Sequence, residues 1–228
     1  MTALAGVRRL PADQLYGRLL ATVVAHAFGD GPAPPRARVR SVDGTCALLP
    51  LERWVAAADA VDTELLAGLP GPVIDIGCGP GRHVVALAAA GTESLGVDLS
   101  PVAVQLARVR GGEAIPGSIF ADVPRAGSWR SALLLDGNIG IGGDPAQLLS
   151  RTRELLAPGG VAIVELDPPG APTGRTRIRL EAPGLVSEWF AWARVGADCV
   201  APLAEAAGLE AAPAGSAGGR WFARLRRP

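Results

Sequence analysis

The sequence predicts an α/β protein built on a mostly parallel β-sheet, doubly wound by helices on its two faces. Three observations predict it. From residue 73 onward, short apolar runs alternate with segments of helical periodicity. Those runs are continuously apolar instead of alternating, as strands covered on both faces must be. Helix-start signals stand in the gaps, with Ser100 before Pro101 and Asp144 before Pro145 each supplying a polar cap and a first-turn proline.

Ahead of that pattern, Leu15, Leu19, Leu20, Val23 and Val24 fall on one face of a helix over 12–27, which Gly29 ends. The Pro-rich GDGPAPPRARVR then reads as a loop leading to a short strand near 36–49. WVAAADAVDTELLAGL reads as one further helical stretch, stopped by Pro70 and Gly71. A single domain is expected, with residues 1–56 as an N-terminal helical cap and 57–228 as its core.

Within the core, Val73–Ile76 is the first strand and a helix follows over 82–90. The second strand, 94–97, leads into a helix carrying Val102, Leu106 and Val109. A weak third strand covers 113–119 and a buried fourth covers 132–135. The helix ending at LLAPGG precedes the fifth, 161–166. Beyond Asp167 come a loop (PPGAPTG), a strand over 177–181, a helix over 196–207 and a last strand, antiparallel, over 221–225.

Composition excludes several functions. All 22 basic residues are Arg and they balance 22 acids, so no charge-driven affinity for nucleic acid or an acidic membrane is expected. Without Lys there is neither a Walker A loop nor a pyridoxal Schiff base. The three cysteines, Cys46, Cys78 and Cys199, form no CxxC pair, and His26 and His83 are the only histidines, so neither a disulfide framework nor a metal site is expected. The opening MTALAGVRRLPADQ is too short in its apolar run for a signal peptide, and no run approaches the ~20 residues that span a bilayer. A cytoplasmic protein acting on a small molecule is the expectation.

The chemistry concentrates in VIDIGCGPGRH, residues 73–83. Gly77, Gly79 and Gly81 follow an acid-tipped strand in the order GxGxG. A dinucleotide fingerprint would put its third glycine at position 82, where Arg82 stands. A tight strand-to-helix turn also selects glycine, so the loop alone decides little. Asp98 adds more, because an acid roughly 20 residues on, at the end of the neighbouring strand, can accept both hydroxyls of a ribose. Leu99 beside it offers an apolar face to an adenine.

VIDIGCGPGR, GVDLSP and LLAPGGVAIVE, in that order, resemble the glycine motif, ribose-binding acid and pre-strand-five turn of class I S-adenosylmethionine-dependent methyltransferases. The resemblance covers about 57–166. It implies a Rossmann-like sheet of seven strands, the last antiparallel, and S-adenosyl-L-methionine as cofactor. Asp75, Gly77, Cys78, Gly79, Asp98 and Leu99 would then line its site. Gly77 and Gly79 would admit close approach of the methionine portion, whose carboxylate could use the positive helix end near Gly81 and Arg82, while Asp75 orders the loop and attracts the ammonium. Where the family often has an acid for the adenine amino group, this chain has Ser118, with Asp122 as another candidate.

The segment LLLDGNIGIGGDP leaves the fourth strand where open α/β sheets bind ligands. Asp136 is the candidate general base and Asn138 the candidate to orient the acceptor, with His83 a rival base. Trp189 and Trp192 are candidates to wall an apolar substrate pocket. Two other readings stand beside methyl transfer: a noncatalytic module that binds the cofactor, and an NAD(P)-dependent oxidoreductase.

Overall fold

The structure, a computed structural model, describes residues 7–228; residues 1–6, where the segment read as no signal peptide begins, lie outside the described residues. Its main sheet runs, edge to edge, through Glu210–Ala211, Arg220–Arg226, Leu156–Leu166, Trp129–Leu134, Val73–Ile76, Ser94–Asp98 and Ala114–Pro116, with Gly215–Ala217 pairing on Arg220–Arg226 off that path. The last five strands in that order are mutually parallel. Arg220–Arg226 runs antiparallel to Leu156–Leu166, with Trp221 opposite Leu166. The chain therefore moves outward from Val73–Ile76 in one direction and returns to build the other half. A crevice opens at the carboxyl ends where the direction reverses.

Strand residues alternate between two buried layers. Ile74, Ile76, Leu134 and Val164 face one cluster, and Val73, Leu133, Leu135 and Ile163 face another with Leu66, Leu69 and Leu87. Apolar side chains on both faces explain the continuous apolar runs. The helix starts follow their signals: Ser100 Oγ accepts from Ala103 N at 3.4 Å, and Asp144 Oδ1 from Gln147 N at 3.2 Å.

Two features differ from the sequence expectation. The stretch WVAAADAVDTELLAGL is two helices, Leu51–Val55 and Ala60–Leu66, because Asp59 forms a reciprocal capping box with Asp62 and starts a new helix there. The front section is not purely helical either. Beside the helix Ala12–Ala27 it contributes the strands Arg8–Leu10, Arg38–Ser41 and Cys46–Leu48 to a second, six-stranded sheet. That sheet is completed by Gly174–Ala182, Leu185–Ser187 and Phe190–Arg194. Hydrophobic spacing alone could not reveal that residues 8–48 pair with residues 174–187, since this pairing is long-range. The second sheet and the first helix roof the crevice.

Candidate functional site

Between sheet and roof lies a cleft of about 890 Å³, and both the glycine loop and the segment after the fourth strand open into it. Its floor comes from the parallel sheet. Gly77, Gly79 and Gly81 all have positive φ (+74°, +53° and +86°), which explains three glycines on physical grounds. Each also permits a different close approach. A Cβ at Gly77 would meet Asn138 Nδ2 at 2.7 Å, one at Gly79 would meet the Tyr16 hydroxyl at 2.8 Å, and one at Gly81 would meet Ala107 Cβ at 2.5 Å. The third glycine thus seats one helix on another, while the first two shape the cleft.

Asp98, the acid expected to face a ribose, lines the cleft at the end of its strand. Its Oδ2 accepts from Gly79 N at 2.9 Å and its Oδ1 from Ser100 N at 2.8 Å, which leaves further lone pairs toward the cleft. Burial pushes its carboxyl above the usual range, partly offset by those two amides, with Asp75 and Asp13 adding to the rise. Leu99 is 61% exposed, and Gly117, Ser118 and Ile119 line the cleft with it. Ser118 Oγ accepts from Phe120 N at 3.2 Å. Asp122 is exposed and is not among the cleft residues.

Cys78 faces inward: its side chain packs with Val84, Val104, Ala107 and Ala114, so the loop offers the cleft only this residue's backbone. Burial pushes its thiol well up. Asp75 is also buried and points at His83, whose Nδ1 lies 3.5 Å from Asp75 Oδ2 and whose Nε2 lies 3.6 Å from Asp62 Oδ1. Burial opposes charge on His83, but the two flanking carboxylates outweigh it and raise the imidazole to about 9. His83 is therefore a buried cation at neutral pH.

Its stabilising contribution is complete below pH ~6.5, where the ring would be protonated even unfolded, and is lost as pH climbs through about 9. Over that window unfolding stability is expected to drop by on the order of 3 kcal/mol. His83→Gln should flatten the slope in urea titrations, and a level wild-type profile would contradict the pairing.

Asp136 and Asn138 both line the cleft, each with one side-chain polar atom engaged by the protein. Asn138 Nδ2 donates to Ile76 O and Gly77 O, both at 2.9 Å, and so braces the glycine loop. Asp136 Oδ2 accepts from Arg82 Nη2 at 2.6 Å, and the Asp136 amide donates to Glu165 Oε2 at 2.7 Å. Arg82 also bonds the fully buried Asp62, and Arg220 bridges Asp62 (2.7 Å) to Glu165 (2.8 and 2.6 Å). A web of alternating charges thus backs the cleft.

The roof supplies Tyr16, Arg53, Trp54, Leu180, Phe190 and Trp192. Tyr16 packs edge-on against Trp54, with ring centroids 5.8 Å apart. Burial, reinforced by Asp98, Cys78 and Asp136, raises the Tyr16 phenol well above its ordinary value. Trp189, by contrast, is not among the cleft residues and stacks under Arg179. Arg53 carried no sequence signal; it lies in a five-residue helix whose neighbours across the cleft come from remote segments.

A mostly parallel sheet with a glycine turn, a strand-end acid and a switch-point cleft defines the class I methyltransferase fold. Residues 73–160 match the family described as "Methyltransferase domain". That stretch is thus similar to a methyltransferase domain, and it lies on the fold of class I S-adenosylmethionine-dependent methyltransferases. A trans-aconitate 2-methyltransferase of Methylobacterium radiotolerans is 38% identical over 133 residues, 53% of this chain and 49% of that protein. The same-named protein of Paracidovorax citrulli is 33% identical over 111 residues, 45% of this chain and 43% of that one. The chain thus spans about half the length, or less, of these curated relatives. In structure it is similar to an S-adenosylmethionine-dependent methyltransferase of Bacteroides fragilis in complex with S-adenosyl-L-homocysteine, with TM-score 0.74 and 21% identity, covering 97% of this chain and 98% of that one. Among the described residues no helix is long and apolar enough to cross a membrane.

Proposed function

We propose that the chain transfers the methyl group of S-adenosylmethionine to a small-molecule acceptor enclosed between the two sheets. The observation that carries this reading is the alignment of Asp98, the Gly77–Gly79 turn and the roofed cleft around one switch point. Gly77 and Gly79 keep the turn backbone bare at the cleft floor, against Asn138 and Tyr16, and Asp98 retains acceptor capacity for a ribose, so the residues present fit the cofactor. Leu99, Ser118 and Ile119 would border the adenine. Bound S-adenosylmethionine supplies an electrophilic methyl on a cationic sulfur, and the protein's task is alignment and exclusion of water.

Well-oriented approach can lower such a barrier by about 7 to 11 kcal/mol. Asn138 serves that purpose through the loop it braces, as a positioning residue. Asp136, held by Arg82, fixes the cleft's charge. Apolar Leu180, Ile178 and Phe190 on the roof favour a small acceptor over a polymer. Relatives named for methylation of trans-aconitate also support a small acceptor.

Asp98→Ala tests the cofactor assignment. Loss of charge-assisted hydrogen bonds of about 1.5 to 3 kcal/mol should weaken S-adenosylhomocysteine binding tenfold to a hundredfold in calorimetry. Unchanged affinity in a folded variant would put the ribose elsewhere. In a parallel thermal-shift panel, stabilisation by NADH or NADPH and not by S-adenosylhomocysteine would overturn methyl transfer.

A further inference from the structure

The first helix, Ala12–Ala27, crosses the Asp98 end of the cleft. Gly17 sets its closest contact, since a Cβ there would meet Ser100 Oγ at 2.8 Å and Val102 Cβ at 2.9 Å. Beside it, the Tyr16 hydroxyl stands 2.8 Å from where a Cβ on Gly79 would lie. Asp13 is one turn back along the helix on the same face as Tyr16, and both line the cleft. That face looks onto the glycine turn and Asp98. In keeping with this placement, the Asp98 carboxyl, raised by burial, is raised further by Asp75 and by Asp13.

The other charged groups of the cleft stand against opposite charges. Arg82 bonds Asp62 and Asp136, Glu165 is bonded twice to Arg220, and His83 lies between Asp62 and Asp75. Arg53 Nη2 faces Asp59, Asp62 and Asp136 at 3.5, 3.9 and 3.9 Å. Asp98, by contrast, has only the amides of Gly79 and Ser100, and Asp13 neither hydrogen-bonds nor ion-pairs among the described residues. Two carboxylates thus share one end of the cleft, and no arginine among the described residues pairs with either. Their neighbours feel the same sign of field: burial and then Asp98 raise the Tyr16 phenol, and burial, Asp75 and Asp98 raise the Cys78 thiol. Between low-dielectric walls such charges act on a ligand over several ångströms, without needing a hydrogen bond to it.

We propose that Asp13 makes the cofactor site select by charge, so that it holds S-adenosylmethionine, whose sulfur is cationic, more tightly than S-adenosylhomocysteine, whose sulfur is neutral. This rests on the cofactor assignment above. In methyl transfer a lone pair of the acceptor forms the new bond to carbon as the bond from methyl to sulfur breaks, and the bonding pair stays with sulfur as a neutral thioether. The attraction of Asp13 for the bound ligand falls at that moment, which favours release of the spent product. Asp98 adds its charge, but its hydrogen-bonding capacity goes to a ribose that both ligands share.

The test is calorimetric titration of the full chain with S-adenosylmethionine, S-adenosylhomocysteine and sinefungin, in which a carbon bearing an ammonium replaces the methylsulfonium. Wild type is expected to bind the two cationic ligands about fivefold or more tightly than S-adenosylhomocysteine. That preference should shrink between about 20 and about 500 mM NaCl, because ions screen the attraction. Asp13→Asn should weaken the cationic ligands by about fivefold or more and S-adenosylhomocysteine by less than about twofold, while Asp13→Glu keeps the preference. Asp13→Ser repeats the measurement should the asparagine variant fail to fold. An acid in a helix's first turn also favours the helix by itself, but loss of that role would weaken all three ligands alike. Equal affinity of wild type for S-adenosylmethionine and S-adenosylhomocysteine, a preference indifferent to salt or unchanged without the Asp13 carboxylate, or equal weakening of all three ligands would overturn the proposal while leaving methyl transfer standing. Failure of wild type to bind any of the three would overturn both.

Discussion

Gly79→Val is expected to yield a folded protein that has lost S-adenosylhomocysteine affinity by at least a hundredfold, about 2.7 kcal/mol. Two effects act together at this position. The backbone has φ +53°, which a β-branched residue adopts only under strain. A Cβ would also lie 2.8 Å from the Tyr16 hydroxyl, forcing either the loop or the roof aside. The Gly79 amide that bonds Asp98 would move with the loop, so the methionine and ribose ends are disturbed at once. Gly79→Ala should fall between wild type and valine. Gly81→Val separates this effect from packing: there a Cβ would strike Ala107 Cβ at 2.5 Å and its Cα at 2.8 Å, so that variant should lose stability before affinity. Calorimetric affinity and thermal melting measured on all three decide the matter, and wild-type binding by Gly79→Val would make the loop an ordinary turn.

The parallel sheet was legible because its strands and helix starts are local signals. Val73–Ile76 reads as buried on both faces from four residues, and Ser100–Pro101 announces its helix without reference to anything distant. The meeting of the glycine turn and Asp98 was legible for the same reason, since they are about twenty residues apart on adjacent parallel strands. The roof was not. Arg38–Ser41 finds its partner at Ile178–Glu181, and no periodicity encodes a pairing across that separation.

The charge web leaves only a partial trace in the sequence. Glu165 is an acid within an otherwise apolar strand, and Asp62 lies on a helix between apolar positions. Such residues are rarely buried without a partner. What the sequence could not supply was which arginine answers which acid. Arg82 follows the glycines, and its placement invites a role toward the cofactor carboxylate. Its guanidinium instead turns to Asp62 and Asp136, from segments 20 and 54 residues away. Asp136 and Asn138 line the cleft, but Asp136 Oδ2 is turned to Arg82 and Asn138 Nδ2 to the glycine loop.

Arg82→Met should therefore act on stability. Arg82 is 3% exposed and spans a fully buried carboxylate and one at the cleft wall. Removing one partner of such a pair leaves the other charge desolvated, which typically costs about 3 to 5 kcal/mol. Met keeps much of the arginine stem's apolar packing, so the loss would reflect the charge more than a void. Arg220 and His83 still face Asp62 and limit the damage there. Asp136 is less fortunate, since Arg53 Nη2 and Arg220 Nη2 stand 3.9 and 3.7 Å from its Oδ1. Asp62→Asn should soften the effect, making the double variant more stable than the sum of the two single losses predicts, because the two residues share one interaction. Urea unfolding of the two single variants and the double variant measures this coupling. If Arg82 mattered only to the cofactor, Arg82→Met would keep the wild-type midpoint and lose only S-adenosylhomocysteine affinity, and the web would have no structural role at that position.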